Sequence, residues 1–186
     1  MPWQKRLADA LTLTRLPAAL AIVALGFAQG RDGLEAAWLL LLLAATIDTL
    51  DGYFARLAPG THTTWVGSHD LFFDLLFSTA LLFYLVLAGV AGPYFGALYL
   101  AGWGIVTLTT NGAANVRAIA FQGPIYLLTV WAAGDANPRV FVWTALWLAI
   151  MALFGGRRFL TVRLPVLLRD LFASVHSRSR KNDKSR

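Results

Sequence analysis

At 186 residues the chain has room for one soluble domain, or for about six membrane-spanning helices of about 20 residues joined by short loops. Hydrophobic residues are 58% of it, charged residues 14%, and the mean hydropathy is +0.60, more apolar surface than one soluble core of this size can hide, so an ordinary soluble domain is excluded. The net charge of +6 raises nucleic acid as a partner, but fourteen of the sixteen Lys and Arg fall in segments assigned below to one side of a membrane, nine of them after Gly156, which is the positive-inside pattern and attraction to anionic lipid. With no cysteine, disulfides, thiolate zinc sites and thiol chemistry are excluded.

Residues 1–14 place Trp3, Leu7 and Leu11 at helical spacing against Gln4, Lys5, Arg6 and Asp9, the pattern of a short amphipathic helix in the membrane interface. The first span covers about 11–28, with Arg15 near its entrance and Pro17 in an early turn. Lys5 and Arg6 before an apolar stretch also fit a cleaved signal peptide, but its loss would leave five helices and termini on opposite sides, against the arginine pattern. After the turn at 30–33 the second span, about 34–58, carries its polar residues in its last third. The third, about 66–91, begins polar and becomes a lipid-type run over 75–87.

Spans of about 94–110, 118–134 and 140–154 follow, the fifth entered through a polar connection with Asn115 and Arg117 and interrupted by Gly123-Pro124, which predicts a kink. Residues 157–186 form a basic tail, interfacial at first and without apolar residues over the last ten. The fold class is therefore an all-α integral membrane protein of six spans, with both termini cytoplasmic because the N-terminus, the 59–65 loop, the Arg117 connection and the tail carry the fourteen cations.

Four of the ten acidic residues, Asp48, Asp51, Asp70 and Asp74, stand at the facing ends of the second and third spans, on the cytoplasmic side. An unpartnered Asp at the centre of a membrane helix costs about 2.5–3.5 kcal/mol, so four would approach about 10 kcal/mol. At about 100° per residue Asp48 and Asp51 lie within about 60° of each other with Gly52 and Ala55 on the same stripe, while Asp70 and Asp74 are a one-turn pair. A short loop makes the two helices antiparallel neighbours, so both pairs can face one pocket. Four adjacent carboxylates resist ionising together, and a divalent cation removes that conflict. Oxygen ligands without Cys or a clear His pair point to Mg²⁺ or Mn²⁺, the ions that phosphoryl-transfer sites hold with a few carboxylates and substrate phosphates.

The run D-x-x-D-G-x-x-A-R followed, after a loop, by G and D-x-x-x-D, matched here by Asp48, Asp51, Gly52, Ala55, Arg56, Asp70 and Asp74, resembles the signature of the CDP-alcohol phosphatidyltransferase family. The L-T-L-T-R of residues 11–15 is similar to that family's opening, and the six-span plan covers nearly the whole chain. The resemblance implies transfer of a phosphatidyl group from CDP-diacylglycerol to an alcohol with release of CMP, in phospholipid biosynthesis. It implies Asp48, Asp51, Asp70 and Asp74 as metal ligands, two Mg²⁺ or Mn²⁺ ions, Asp74 also as general base, Gly52, Ala55 and Arg56 as the CDP site, and a homodimer.

Arg117 fits the phosphate of an acceptor and equally an orientation signal. Because the chain resembles phosphatidylglycerophosphate synthases in length and compactness, the resemblance implies glycerol 3-phosphate as the first acceptor, with inositol phosphate, inositol and serine as alternatives. The chain departs from the pattern in placing Gly67 three rather than four residues before Asp70, and in carrying Leu71 and Leu75 after the third and fourth aspartates. Two other classes stay open: a carboxylate-lined ion or metal transporter, which would want polar groups through the midplane, and a non-catalytic relative that keeps lipid or nucleotide binding.

Overall fold

The computed structural model describes residues 2–57, 64–109 and 114–158 and is built from helices: α1 (Trp3–Leu13), α2 (Arg15–Gln29), a 3₁₀ turn (Gly30–Gly33), α3 (Leu34–Leu57), α4 (Trp65–Ser68), α5 (Asp70–Leu87), α6 (Pro93–Thr109), α7 (Ala114–Ala136) and α8 (Arg139–Arg158). The tail beyond Arg158, His62 and Asn111 lie outside the described residues.

Among the described residues three helical stretches are long and apolar enough to cross a membrane: Trp3–Leu57, which folds back on itself at the 3₁₀ turn, Asp70–Leu87 and Val116–Ala136. Pro93–Leu108 and Arg139–Leu153 are shorter apolar helices. Large apolar side chains such as Leu20, Phe27, Leu98, Leu108, Leu127, Val142 and Leu153 stand exposed around the bundle. Water penalises such an exterior and a bilayer rewards it, which marks a membrane protein.

Gly30 reverses the chain with a φ of 53°, a left-handed conformation that a side chain would strain. The reversal makes α2 and α3 an antiparallel hairpin, so that Arg15 at the start of α2 lies beside Asp48 near the end of α3. Helix α2 packs most extensively on α5, and it runs parallel to it: Arg15 meets Asp70 at one end and Gly26 meets Tyr84 and Leu87 at the other. That second contact depends on a missing side chain. A Cβ on Gly26 would stand 2.8 Å from Leu87 Cδ1 and 3.2 Å from Tyr84 Cδ2, so the glycine sets the helix separation, as small residues do where membrane helices touch. The Tyr84 hydroxyl then donates to the Gly30 carbonyl at 3.0 Å, tying α5 to the turn.

The 75–87 run, read from sequence as lipid-type, is the most enclosed part of the bundle. Phe77, Leu81, Tyr84 and Leu85 are fully buried against α2 and α7. Helix α8 lies parallel to α3 and is fastened to it by two indole hydrogen bonds, Trp38 Nε1 to Thr144 Oγ1 and Trp147 Nε1 to Thr46 Oγ1, both 2.9 Å. The expected third span is two elements, because Thr64 caps a separate turn, α4, and the chain re-enters a helix only at Asp70. The fifth helix starts earlier than expected, taking in Asn115 and Arg117, and continues through Pro124.

Candidate metal and substrate site

Three helix ends meet at one point. Asp48 and Asp51 are three residues apart on one face near the end of α3, Asp70 and Asp74 occupy the first two turns of α5, and Arg15 opens α2. Asp70 stands in the first turn of α5, where unsatisfied N–H groups and the helix dipole favour negative charge. Thr12 and Arg15 are also three residues apart, and the chain stays near helical geometry through Thr14, so both point toward the aspartates.

Arg15 is the centre of the arrangement and only 3% of its side chain is exposed. Its Nη2 lies 2.5 Å from Asp48 Oδ1 and 3.3 Å from Asp51 Oδ2, and its Nη1 lies 2.6 Å from Asp70 Oδ1 and 2.8 Å from Asp74 Oδ1. One guanidinium nitrogen thus serves the α3 pair and the other serves the α5 pair. A charge so buried is tolerable only because it is paired and hydrogen-bonded on both sides.

The four carboxylates are not equivalent. Side-chain exposures of 48%, 41% and 26% leave Asp48, Asp70 and Asp74 open to the outside, whereas Asp51 at 7% is sequestered. The Thr12 hydroxyl donates to Asp51 Oδ2 at 3.1 Å, with Asp70 Oδ1 at the outer limit of 3.5 Å.

The rim is built by α4. Thr64 accepts the Gly67 N–H at 2.9 Å as the helix cap and donates to Asp9 Oδ1 at 2.6 Å, which pins α4 to α1. A Cβ on Gly67 would stand 3.1 Å from Thr64 Oγ1, so the glycine lets this cap close tightly. Gly67, Ser68, Asp70, Leu71 and Asp74 line a cavity of about 380 Å³ opening onto the carboxylates. Behind Asp74, Ser78 donates to its backbone carbonyl at 2.8 Å and shares a 3.0 Å hydrogen bond with the Tyr126 hydroxyl, linking this turn of α5 to α7.

The other sequence candidates fall in place as follows. Gly52 lies on α3 one residue past Asp51, and the Arg56 guanidinium folds over it, its Nη1 3.1 Å from where a Gly52 Cβ would be. Ala55 and Arg56 are exposed on the last turn of α3, at the aspartate end. Arg117 donates from Nη1 to the Thr107 carbonyl at 3.0 Å, so part of its hydrogen-bonding capacity joins α7 to α6. His69 stacks on Trp65 with its Nδ1 2.8 Å from the Trp65 carbonyl oxygen and 3.0 Å from Ser68 Oγ, contacts that turn it toward α4 rather than toward Asp70.

Sequence reasoning placed Arg15 at a span entrance as one orienting cation among fourteen and gave Thr12 no role. The signal that could have found them was a lone cation inside an apolar stretch, with a hydroxyl three residues before it, in a chain that carries four acids at the ends of apolar helices.

The donor set suits a hard cation. Carboxylate oxygens of Asp48, Asp70 and Asp74 lie within 4.8 Å of one another, and oxygens around an Mg²⁺ held at about 2.1 Å are about 3 to 4 Å apart, so a modest closure would complete three ligands. Asp51, held by Thr12 and Arg15, stands outside that set. No protein-family model, curated protein or solved structure matches the chain.

Proposed function

We propose that the chain is an integral-membrane phosphatidyltransferase that moves a phosphatidyl group from a CDP-linked lipid, CDP-diacylglycerol, to a small alcohol and releases CMP. The observation that carries this reading is the convergence of Asp48 and Asp51 with Asp70 and Asp74 around one guanidinium, which brings the two halves of the D-x-x-D-G-x-x-A-R and D-x-x-x-D pattern together, with Asp48, Asp70 and Asp74 close enough to share an ion and Asp70 and Asp74 on the cavity wall. The six spans come from the apolar runs of the sequence, the cytoplasmic side for both termini and the aspartates from the distribution of cations, and the homodimer from the family resemblance.

In this reading Asp48, Asp70 and Asp74 hold Mg²⁺ or Mn²⁺, with Asp51 contributing to a second ion. Bound there, the metal neutralises the pyrophosphate and polarises the phosphorus under attack. Gly52 and Ala55 leave room for the cytidine nucleotide against α3, and Arg56 pairs with its phosphates. Asp74, at the cavity wall and held in place through the turn that Ser78 and Tyr126 fix, takes the proton of the acceptor hydroxyl. The acceptor oxygen forms its bond to the lipid-linked phosphorus as the bond from that phosphorus to the CMP oxygen breaks. Arg117 is the candidate for an acceptor phosphate, and glycerol 3-phosphate is the first acceptor to try, before inositol phosphate, inositol and serine.

The Arg15 bridge favours one second reading, a non-catalytic relative whose acids are neutralised internally and which retains nucleotide or lipid binding. The two separate in one experiment. The purified protein is given CDP-diacylglycerol, Mn²⁺ or Mg²⁺ and each acceptor in turn, and CMP is measured. Metal-dependent CMP release with one acceptor supports the transferase, and CDP binding without CMP release supports the relative.

A further inference from the structure

We infer that Arg15 is a built-in counter-ion that competes with a divalent cation for the aspartate cluster, holding the metal-free site together and giving way when the cation enters. The inference rests on the metal reading above and goes beyond it in naming what the cation must displace. Its basis is that Arg15 and the cation share ligands: Asp48, Asp70 and Asp74 each turn Oδ1 to a guanidinium nitrogen, and these are the three residues whose carboxylates approach one another closely enough to hold an ion.

Arg15 is also shielded from water, so its charge cannot be screened when a second cation arrives at the same carboxylates. The division of the four acids provides a place for it to go. Asp51, outside the three-carboxylate set, accepts from Arg15 Nη2 and is fixed by Thr12, so it keeps a partner for Arg15 when a first cation takes the other three, before any second ion draws on Asp51. Without a metal, the bridge from α3 to α5 is what allows acids on two helices to stay close.

Counter-ion and structural strut make opposite predictions when the charge is removed. A strut that only shapes the site should, once lost, leave the metal bound more weakly. A competing cation should, once lost, leave it bound more tightly. The test is Mn²⁺ affinity, read from the electron paramagnetic resonance signal of free Mn²⁺, on chelator-stripped wild type, Arg15→Gln and Arg15→Lys in detergent. Arg15→Gln is expected to bind Mn²⁺ at least about tenfold more tightly than wild type, a conservative figure for removing one unscreened positive charge a few ångströms from a divalent ion. Its metal-free form should melt at a lower temperature, and Mn²⁺ should raise that temperature by more than it does for wild type.

Equal or weaker binding by Arg15→Gln, with wild type binding normally, overturns the counter-ion role and leaves the metal reading standing. Absence of binding by both overturns the metal reading and this inference with it. If Arg15→Gln does not fold, Arg15→Lys decides: its single nitrogen keeps the charge but cannot serve both helix pairs, so its Mn²⁺ affinity should exceed that of wild type, and an affinity equal to or below wild type overturns the inference.

Discussion

Replacing Thr12 by valine removes one hydroxyl from the site and almost no volume. In the native arrangement that hydroxyl donates to Asp51 Oδ2 at 3.1 Å, and Asp51 is buried, so water cannot take its place. A hydrogen bond to a charged group is worth about 1.5–3 kcal/mol, and the contact to Asp70 at 3.5 Å is too long to add much. Thr12→Val should therefore destabilise the metal-free protein by about 2 kcal/mol, measured by reversible unfolding in mixed micelles with a chelator present. Thr12→Ser, which keeps the donor, should recover most of the loss. Because the effect runs through one carboxylate, it should shrink in an Asp51→Asn background, with a coupling energy of at least about 1 kcal/mol in the double-mutant cycle. A Thr12→Val protein within about 0.5 kcal/mol of wild type, or strict additivity with Asp51→Asn, would refute the assignment of Thr12 as the anchor of Asp51.

Gly26→Val drives side-chain atoms into Leu87 and Tyr84 and should separate α2 from α5 at the end opposite the site, lowering the melting temperature sharply, whereas Gly92→Ala, where a Cβ meets nothing within 4 Å, should be close to neutral in the same scan. Gly67→Ala crowds the Thr64 cap at 3.1 Å and should cost about 1 kcal/mol or less, with a larger effect on nucleotide binding than on unfolding because the cavity rim moves. Asp74→Asn should abolish CMP release while leaving CDP binding, followed by calorimetry, largely intact, and normal turnover would remove Asp74 from the role of base.

Much of the site was legible because helical spacing is a local property. Residues three or four apart share a face wherever the helix ends up, so Asp48 with Asp51 and Asp70 with Asp74 could be paired from sequence, and the glycine turn at 30–33 gave the reversal before α3. What was not legible depended on which helices touch. Arg15 counts as one cation in a charge tally, and only the antiparallel return of α3 and the parallel packing of α5 reveal that it meets four acids. The 75–87 run carries no polar face, so its periodicity could not distinguish a lipid-facing helix from a central one, and its burial comes from α2 and α7. The break at His69 escaped notice because the apolar pattern passes over it, while the backbone leaves helical geometry there, with Ser68 Oγ and His69 Nδ1 both at the Trp65 carbonyl, which is a matter of local hydrogen bonding.

The central claim is that four converging carboxylates serve phosphatidyl transfer, and the most direct measurement is CMP release from CDP-diacylglycerol by purified wild type and Asp74→Asn across the acceptor panel, with and without Mn²⁺. The account predicts CMP release by wild type that requires both the metal and one particular acceptor and that disappears in Asp74→Asn. No CMP from wild type with any acceptor, or equal release by the two proteins, would contradict it.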